Sequence, residues 1–111
     1  MATLSSHLLN SVNGTHANNV DIIIYQIKSN GEKKVFCETK TDDGGRVLKE
    51  FNLNDEDCKS EYEMVCKTGD YFSEKKIVSE IIIKFKMPDP NKKYHIPIII
   101  SPNGYSIWWS D

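Results

Sequence analysis

Tyr94-His95-Ile96-Pro97-Ile98-Ile99-Ile100-Ser101-Pro102-Asn103-Gly104-Tyr105-Ser106 is the stretch that decides the fold class. Its first eight residues are too few for an ordinary helix and too rich in β-branched side chains to favour one, so they read as a strand. Ser101-Pro102-Asn103-Gly104 suits a type I turn, with proline second and glycine fourth, and leads into a further candidate strand over residues 105–109. Along the first strand Ile96, Ile98 and Ile100 share one face, while His95, Pro97 and Ile99 share the other. Pro97 removes a ladder donor inside this apolar run, which implies a bulge or an edge.

The same reading extends outward. Val20-Asp21-Ile22-Ile23-Ile24-Tyr25-Gln26-Ile27 and Glu80-Ile81-Ile82-Ile83-Lys84-Phe85-Lys86-Met87 are strands by the same criteria. Weaker candidates lie at residues 4–9, 34–41, 46–51 and 61–67, which makes about eight strands in all. Asn13-Gly14, Asn30-Gly31 and Asp43-Gly44-Gly45 supply turn residues that tolerate positive φ. Many short strands between turns describe a sandwich or barrel, and a β-sandwich is the expectation. One short helix is expected between Asp70 and Ser79, capped by Asp70. Length places residues 1–111 in one domain. The mixed face of His95, Pro97 and Ile99, and the tandem Trp108-Trp109, give more apolar surface than a lone sandwich hides, which suggests an oligomer.

Composition excludes several functions. The 111 residues carry a formal net charge of −2, and their lysine pairs are scattered among acids. Binding nucleic acid needs a concentrated basic stripe, so no nucleic-acid partner is expected. The opening Met1-Ala2-Thr3-Leu4-Ser5-Ser6-His7 lacks the basic and apolar regions of an export signal, and no run approaches the ~20 apolar residues of a membrane span. The three cysteines, Cys37, Cys58 and Cys66, form no C-x-x-C pair. They read as reduced thiols of a cytoplasmic protein, and neither a disulfide framework nor a zinc site is expected.

Candidate chemistry starts with the three histidines, because imidazole moves protons near neutral pH. His16 follows a turn and reads as an exposed residue. His7 alternates with Ser5 and Leu9, and His95 with Pro97 and Ile99; spacing alone accounts for each as a structural or surface histidine as well as a catalyst. No G-x-S-x-G elbow supports a serine hydrolase, and Asp55-Glu56-Asp57 lacks the ligand pattern of a calcium loop. Arg46 is the sole arginine and follows two glycines, which lets its guanidinium stand clear of the backbone as an oxyanion or urea-like ligand requires. A loop arginine in water is the plainer account of it.

Taken together these residues resemble the transthyretin-like proteins, and among them the 5-hydroxyisourate hydrolases. Leu4-Ser5-Ser6-His7-Leu8-Leu9-Asn10 is similar to the family's opening L-S-x-H-V-L-D strand. Thr41-Asp42-Asp43-Gly44-Gly45-Arg46 resembles its T-x-x-D-G-R turn with one extra residue, and Thr68-Gly69-Asp70-Tyr71-Phe72 its T-G-x-Y-F segment. The opening stretch, 94–106, is close to Y-H-V-P-L-L-L-S-P-x-G-Y-S. The resemblance implies an all-β, transthyretin-like (prealbumin-like) sandwich of two four-stranded sheets with one short helix. It further implies a homotetramer whose active sites lie in the cleft where dimers meet. It assigns His7, Arg46 and His95 to that cleft as catalytic residues. Thyroid-hormone carriers of this fold lack the histidine after the tyrosine, so His95 favours the hydrolase branch. The implied reaction opens the ring of 5-hydroxyisourate by hydrolysing an amide bond, downstream of urate oxidation, without metal or cofactor.

The departure is the C-terminus. Family hydrolases end Y-R-G-S, and this chain ends Trp108-Trp109-Ser110-Asp111. The phenol, the second guanidinium and the terminal serine hydroxyl are missing. Trp108 offers a planar substrate a ring to lie against, and Asp111, with two carboxylates counting the chain end, can pair with Arg46; both are expected at the substrate. The intact histidines and arginine favour an enzyme, whereas the altered tail favours a non-catalytic small-molecule binder of the same fold.

Overall fold

A computed structural model describes residues 1–72 and 77–108. The strands in chain order are β1 (Ala2–Asn10), β2 (Thr15–His16), β3 (Asp21–Ile27), β4 (Lys33–Lys40), β5 (Arg46–Phe51), β6 (Glu61–Cys66), β7 (Ile81–Lys86), β8 (Lys93–Ser101) and β9 (Gly104–Ile107); α1 (Asp55–Lys59) precedes β6 and α2 (Thr68–Tyr71) follows it. The eight expected strands all form, and β2 is an additional two-residue strand. One sheet runs β2-β1-β8-β9 with β5 also paired to β1, and the other runs β4-β3-β6-β7. Because β5 pairs with Ala2 to His7 and β2 with Leu9 and Asn10, these two strands share one flank of β1. The β1–β8 ladder on the other flank is parallel.

Period-2 alternation accounts for the two layers. In β1 the residues alternate strictly between buried and partly exposed from Ala2 to Asn10. Leu4 and Leu8 of β1 and Tyr94, Ile96, Ile98 and Ile100 of β8 point inward, and meet Ile22 and Ile24 of β3, Tyr62, Met64 and Cys66 of β6, and Ile81 and Ile83 of β7. Burial in this layer pushes the Cys66 thiol up to about 12, so it stays a neutral apolar filler. The β3–β4 register shifts between Ile24 and Tyr25, whose partners are Cys37 and Val35, leaving Phe36 as the extra residue of a bulge. Phe36 then packs on Phe51 from the opposite sheet, centroids 4.8 Å apart, and on Tyr62 at 5.1 Å.

Two details refine the expected helix. It begins at Thr68, with Lys67 as an N-cap that makes no side-chain capping bond, so Asp70 lies inside it rather than capping it. The remainder of the expected 70–79 segment includes residues 73–76, which lie outside the described residues. The acidic run 55–57 is the first turn of α1, closed by a capping box between Asn54 and Asp57. Buried Gln26 holds α1 to β3 by donating to Asp57 Oδ1 at 2.8 Å and to Ser60 Oγ at 3.0 Å. Tyr62 donates to the Asp57 carbonyl at 2.7 Å. Pro97 carries no bulge in the β1 ladder. Its cost is avoided because β9 pairs only with Ile98 to Ser101, leaving that side of Pro97 without a strand among the described residues.

Ile24 is fully buried at the centre of the second sheet. Ile24→Ala should lower unfolding stability by about 2–5 kcal/mol, read as a reduced urea midpoint with an unchanged slope. A loss well below 1 kcal/mol would contradict a close-packed core at this position.

Candidate active site

The outer face of the first sheet carries the site. His7, on β1, pairs with Arg46 at the start of β5 and with Pro97 on β8, while Ser5 pairs with His95. Since β1 and β8 are parallel and in step, His95 falls on the same face as His7, two ladder positions along. The strand ladders therefore bring together all three residues expected to be catalytic.

Each is held by local chemistry. The turn before Arg46 is built on Asp42, whose Oδ1 accepts from the Gly44 and Arg46 amides, both at 2.9 Å. Gly45 closes it at φ +73°, and a Cβ there would sit 2.5 Å from the Leu8 carbonyl oxygen and 3.2 Å from His16 Cβ. Glycine is thus required twice, for the left-handed backbone and for the close approach of the turn to β1 and β2. Among the described residues no carboxylate pairs with Arg46, which leaves its guanidinium available to a ligand. His95 Nδ1 lies 2.8 Å from Ser5 Oγ, so Nε2 is the nitrogen left for other partners.

Two participants were not anticipated from the sequence. Ser5 shares its face with His7, and only the β1–β8 register shows that it meets His95. His16 is exposed, as expected, yet it is not isolated. The Asn13-Gly14 turn folds β2 back on β1 so that His16 stands opposite Leu9, and the diagonal neighbour on that face is His7. His7 Nε2 and His16 Nδ1 are 2.9 Å apart, and the rings stack with centroids at 5.0 Å. Partial burial holds His7 below the ordinary imidazole pKa; the positive charges of Arg46 and His16 push the same way, the Gly44 carbonyl pulls against them, and His95 adds a small further push downward.

Trp108 does not join this group within the chain. It is 46% exposed and lines a recess of about 250 Å3 between the sheet edges, with Ile83, Lys84, Phe85, Ile96 and Ile107. Ile96 and Ile107, which share this recess, belong to the inward-facing side of their strands, opposite to that of His95. Asp111 and Trp109 lie outside the described residues. Among those described, no group of three or more histidine, cysteine or acidic side chains is placed to hold a metal ion, and no helix is long and apolar enough to cross a membrane.

Residues 4–109 match the model of the HIUase/Transthyretin family. The chain belongs to this family. Among its curated relatives, a 5-hydroxyisourate hydrolase of Salmonella typhimurium is 32% identical over 108 residues, covering 95% of this chain and 78% of that protein. One from Halalkalibacterium halodurans is 27% identical over 112 residues, covering 95% and 94%. Among solved structures, the 5-hydroxyisourate hydrolase of Klebsiella pneumoniae shares the fold with a TM-score of 0.77 at 22% identity, covering all of both chains. An (S)-allantoin synthase gives 0.83 at 23%, where this chain covers 44% of that longer protein. The all-β transthyretin-like sandwich is thus the fold of the chain, and the histidine-bearing face described above lies on its β1–β8 sheet.

The His7 environment makes a direct prediction. In an NMR titration its ring should reach half-protonation below an ordinary imidazole, and Arg46→Gln should move that midpoint upward by removing a nearby cation. A wild-type midpoint at or above the ordinary value would contradict the geometry. Gly45→Ala should cost roughly 1–3 kcal/mol of stability, and an unchanged denaturation midpoint would show that the turn tolerates a side chain there.

Proposed function

We propose that this chain, read as one transthyretin-like domain over residues 1–111, is a 5-hydroxyisourate hydrolase that opens the cyclic amide bond of its substrate with His7, Arg46 and His95. The observation that carries the reading is their convergence on one face from three strands, with no described carboxylate neutralising the arginine among them. The curated hydrolases at 24–32% identity over most of the chain support the same activity.

The geometry divides the work. Ser5 occupies His95 Nδ1, so His95 Nε2 takes the proton of a water as it attacks the ring carbonyl and returns it to the departing ring nitrogen; such general acid–base help is typically worth ~10²–10⁴ in rate. His7, kept neutral by its surroundings, orients that water. The Arg46 guanidinium matches the planar, urea-like edge of the substrate and offsets charge growing on the carbonyl oxygen, a contribution of about 3 kcal/mol where such donors have been removed. No step calls for a cofactor.

The site is proposed to be completed by assembly. Leu48, 65% exposed, stands next to Ser5 in the ladder, and partly buried Leu9 and Ile99 flank the histidines on the same face. A second copy covering these apolar groups would exclude water and strengthen every charge interaction in the cleft. The reading is therefore a homotetramer with a small-molecule substrate, acting in cytoplasmic purine and urate degradation, with neither nucleic acid nor membrane as partner. The alternative, a non-catalytic binder of the same fold, has the Trp108-Trp109-Ser110-Asp111 ending on its side.

5-Hydroxyisourate generated in situ by urate oxidase should lose its absorbance faster when micromolar protein is added than it does spontaneously. An unchanged decay would select the binder. His95→Asn should reduce the acceleration by at least about 10² while the oligomer persists on size exclusion; full activity in that variant would remove His95 from the mechanism.

A further inference from the structure

We propose that His16 is a positioning residue for His7: its Nδ1, 2.9 Å from His7 Nε2, fixes the orientation and tautomer of the His7 ring within the site. The proposal rests on the hydrolase reading for its kinetic consequence, although not for the pairing itself.

The backbone arranges the contact. Gly14 N–H donates to the Asn10 carbonyl at 2.8 Å, and Ala17 N–H donates to the Leu8 carbonyl at 2.9 Å, on either side of the Leu9–His16 pair. The Leu8 amide in turn donates to the Gly45 carbonyl at 2.8 Å. His16 is therefore locked to β1 and to the Arg46 turn, and its Cβ rests where Gly45 leaves room. An exposed histidine on a free loop would lose its ring contact to side-chain entropy; this one is anchored by ladder bonds on both sides.

The pair has a definite chemical content. A nitrogen–nitrogen separation of 2.9 Å holds one proton. With both rings neutral, one nitrogen donates and the other accepts, so the two tautomers are coupled. Two protonated rings would bring N–H groups head to head, which disfavours the doubly charged pair. The other groups facing His7 add no negative charge: Arg46 comes from β5, His95 from β8, and the Gly44 carbonyl from the turn, and no described carboxylate pairs with the ring. His16 thus holds the His7 ring in place and helps keep it uncharged, so that the positive charge presented to the substrate is that of Arg46. Orientation by a further group is a general requirement of catalytic imidazoles.

Two variants and two readouts test this. In the resting wild-type protein, 15N shifts of the His7 ring should report one dominant tautomer. His16→Ala should give a tautomer mixture and raise the His7 midpoint. It should also lower kcat by about tenfold with little change in KM, and move the acid limb of the pH–rate profile to higher pH. His16→Gln, whose amide can bond His7 Nε2 but cannot titrate, should recover most of the rate at neutral pH while leaving the acid limb displaced. A merely structural role would not move that limb. Unchanged His7 shifts and midpoint in His16→Ala would overturn the proposal, as would an equal or faster rate. If the wild-type protein fails to accelerate 5-hydroxyisourate decay while the 15N result holds, the hydrolase reading falls and the pairing stands.

Discussion

Everything at this site depends on β1 being paired along both flanks, antiparallel to β5 and β2 and parallel to β8. A central strand cannot slip by one residue without turning its whole inner row to solvent. Leu4 and Leu8 are essentially inaccessible on the inner face, so the hydrophobic term that holds the sandwich together also determines which face His7 occupies. The flanking ladders then place Arg46 directly opposite it and His95 two ladder positions away on the same face. The geometry of the proposed site is in this sense a by-product of core registration.

The division of labour between the two faces follows. The inner face is mostly apolar, and its buried Ser6, Asn10 and Gln26 are hydrogen-bonded. The outer face carries three imidazoles and a guanidinium among Leu9, Leu48, Pro97 and Ile99. On this half-apolar surface His7 is held below the ordinary imidazole pKa, because desolvation and the nearby positive charges both oppose its protonation. In the proposed mechanism the Arg46 guanidinium supplies the positive charge, and the histidines hold and move protons. The Asp42 carboxylate, which could have quenched that charge, is instead occupied with the turn amides.

The recess at Trp108 stands apart from this chemistry. It opens between the edges of the two sheets, with inward-facing Ile83, Ile96 and Ile107 in its wall, whereas the histidines look outward.

The sequence by itself determined a great deal: the β class, every long strand, and the candidates His7, Arg46 and His95. Those features are local, since β-branched runs, turn glycines and period-2 alternation act within a few residues. It could not show that His95 leans on Ser5 or that His16 reaches His7, because each contact joins strands whose relative register is a property of the assembled sheet. Serine in an alternating strand reads the same whether or not a histidine from residue 95 lies beside it. The α1 cap and the upstream start of α2 were missed for a related reason: helices of five and four residues carry too little periodicity to outweigh the surrounding strands. Tertiary structure alone decided which imidazoles share a proton, for long-range pairing is set by burial of the whole inner layer and not by any residue of the site.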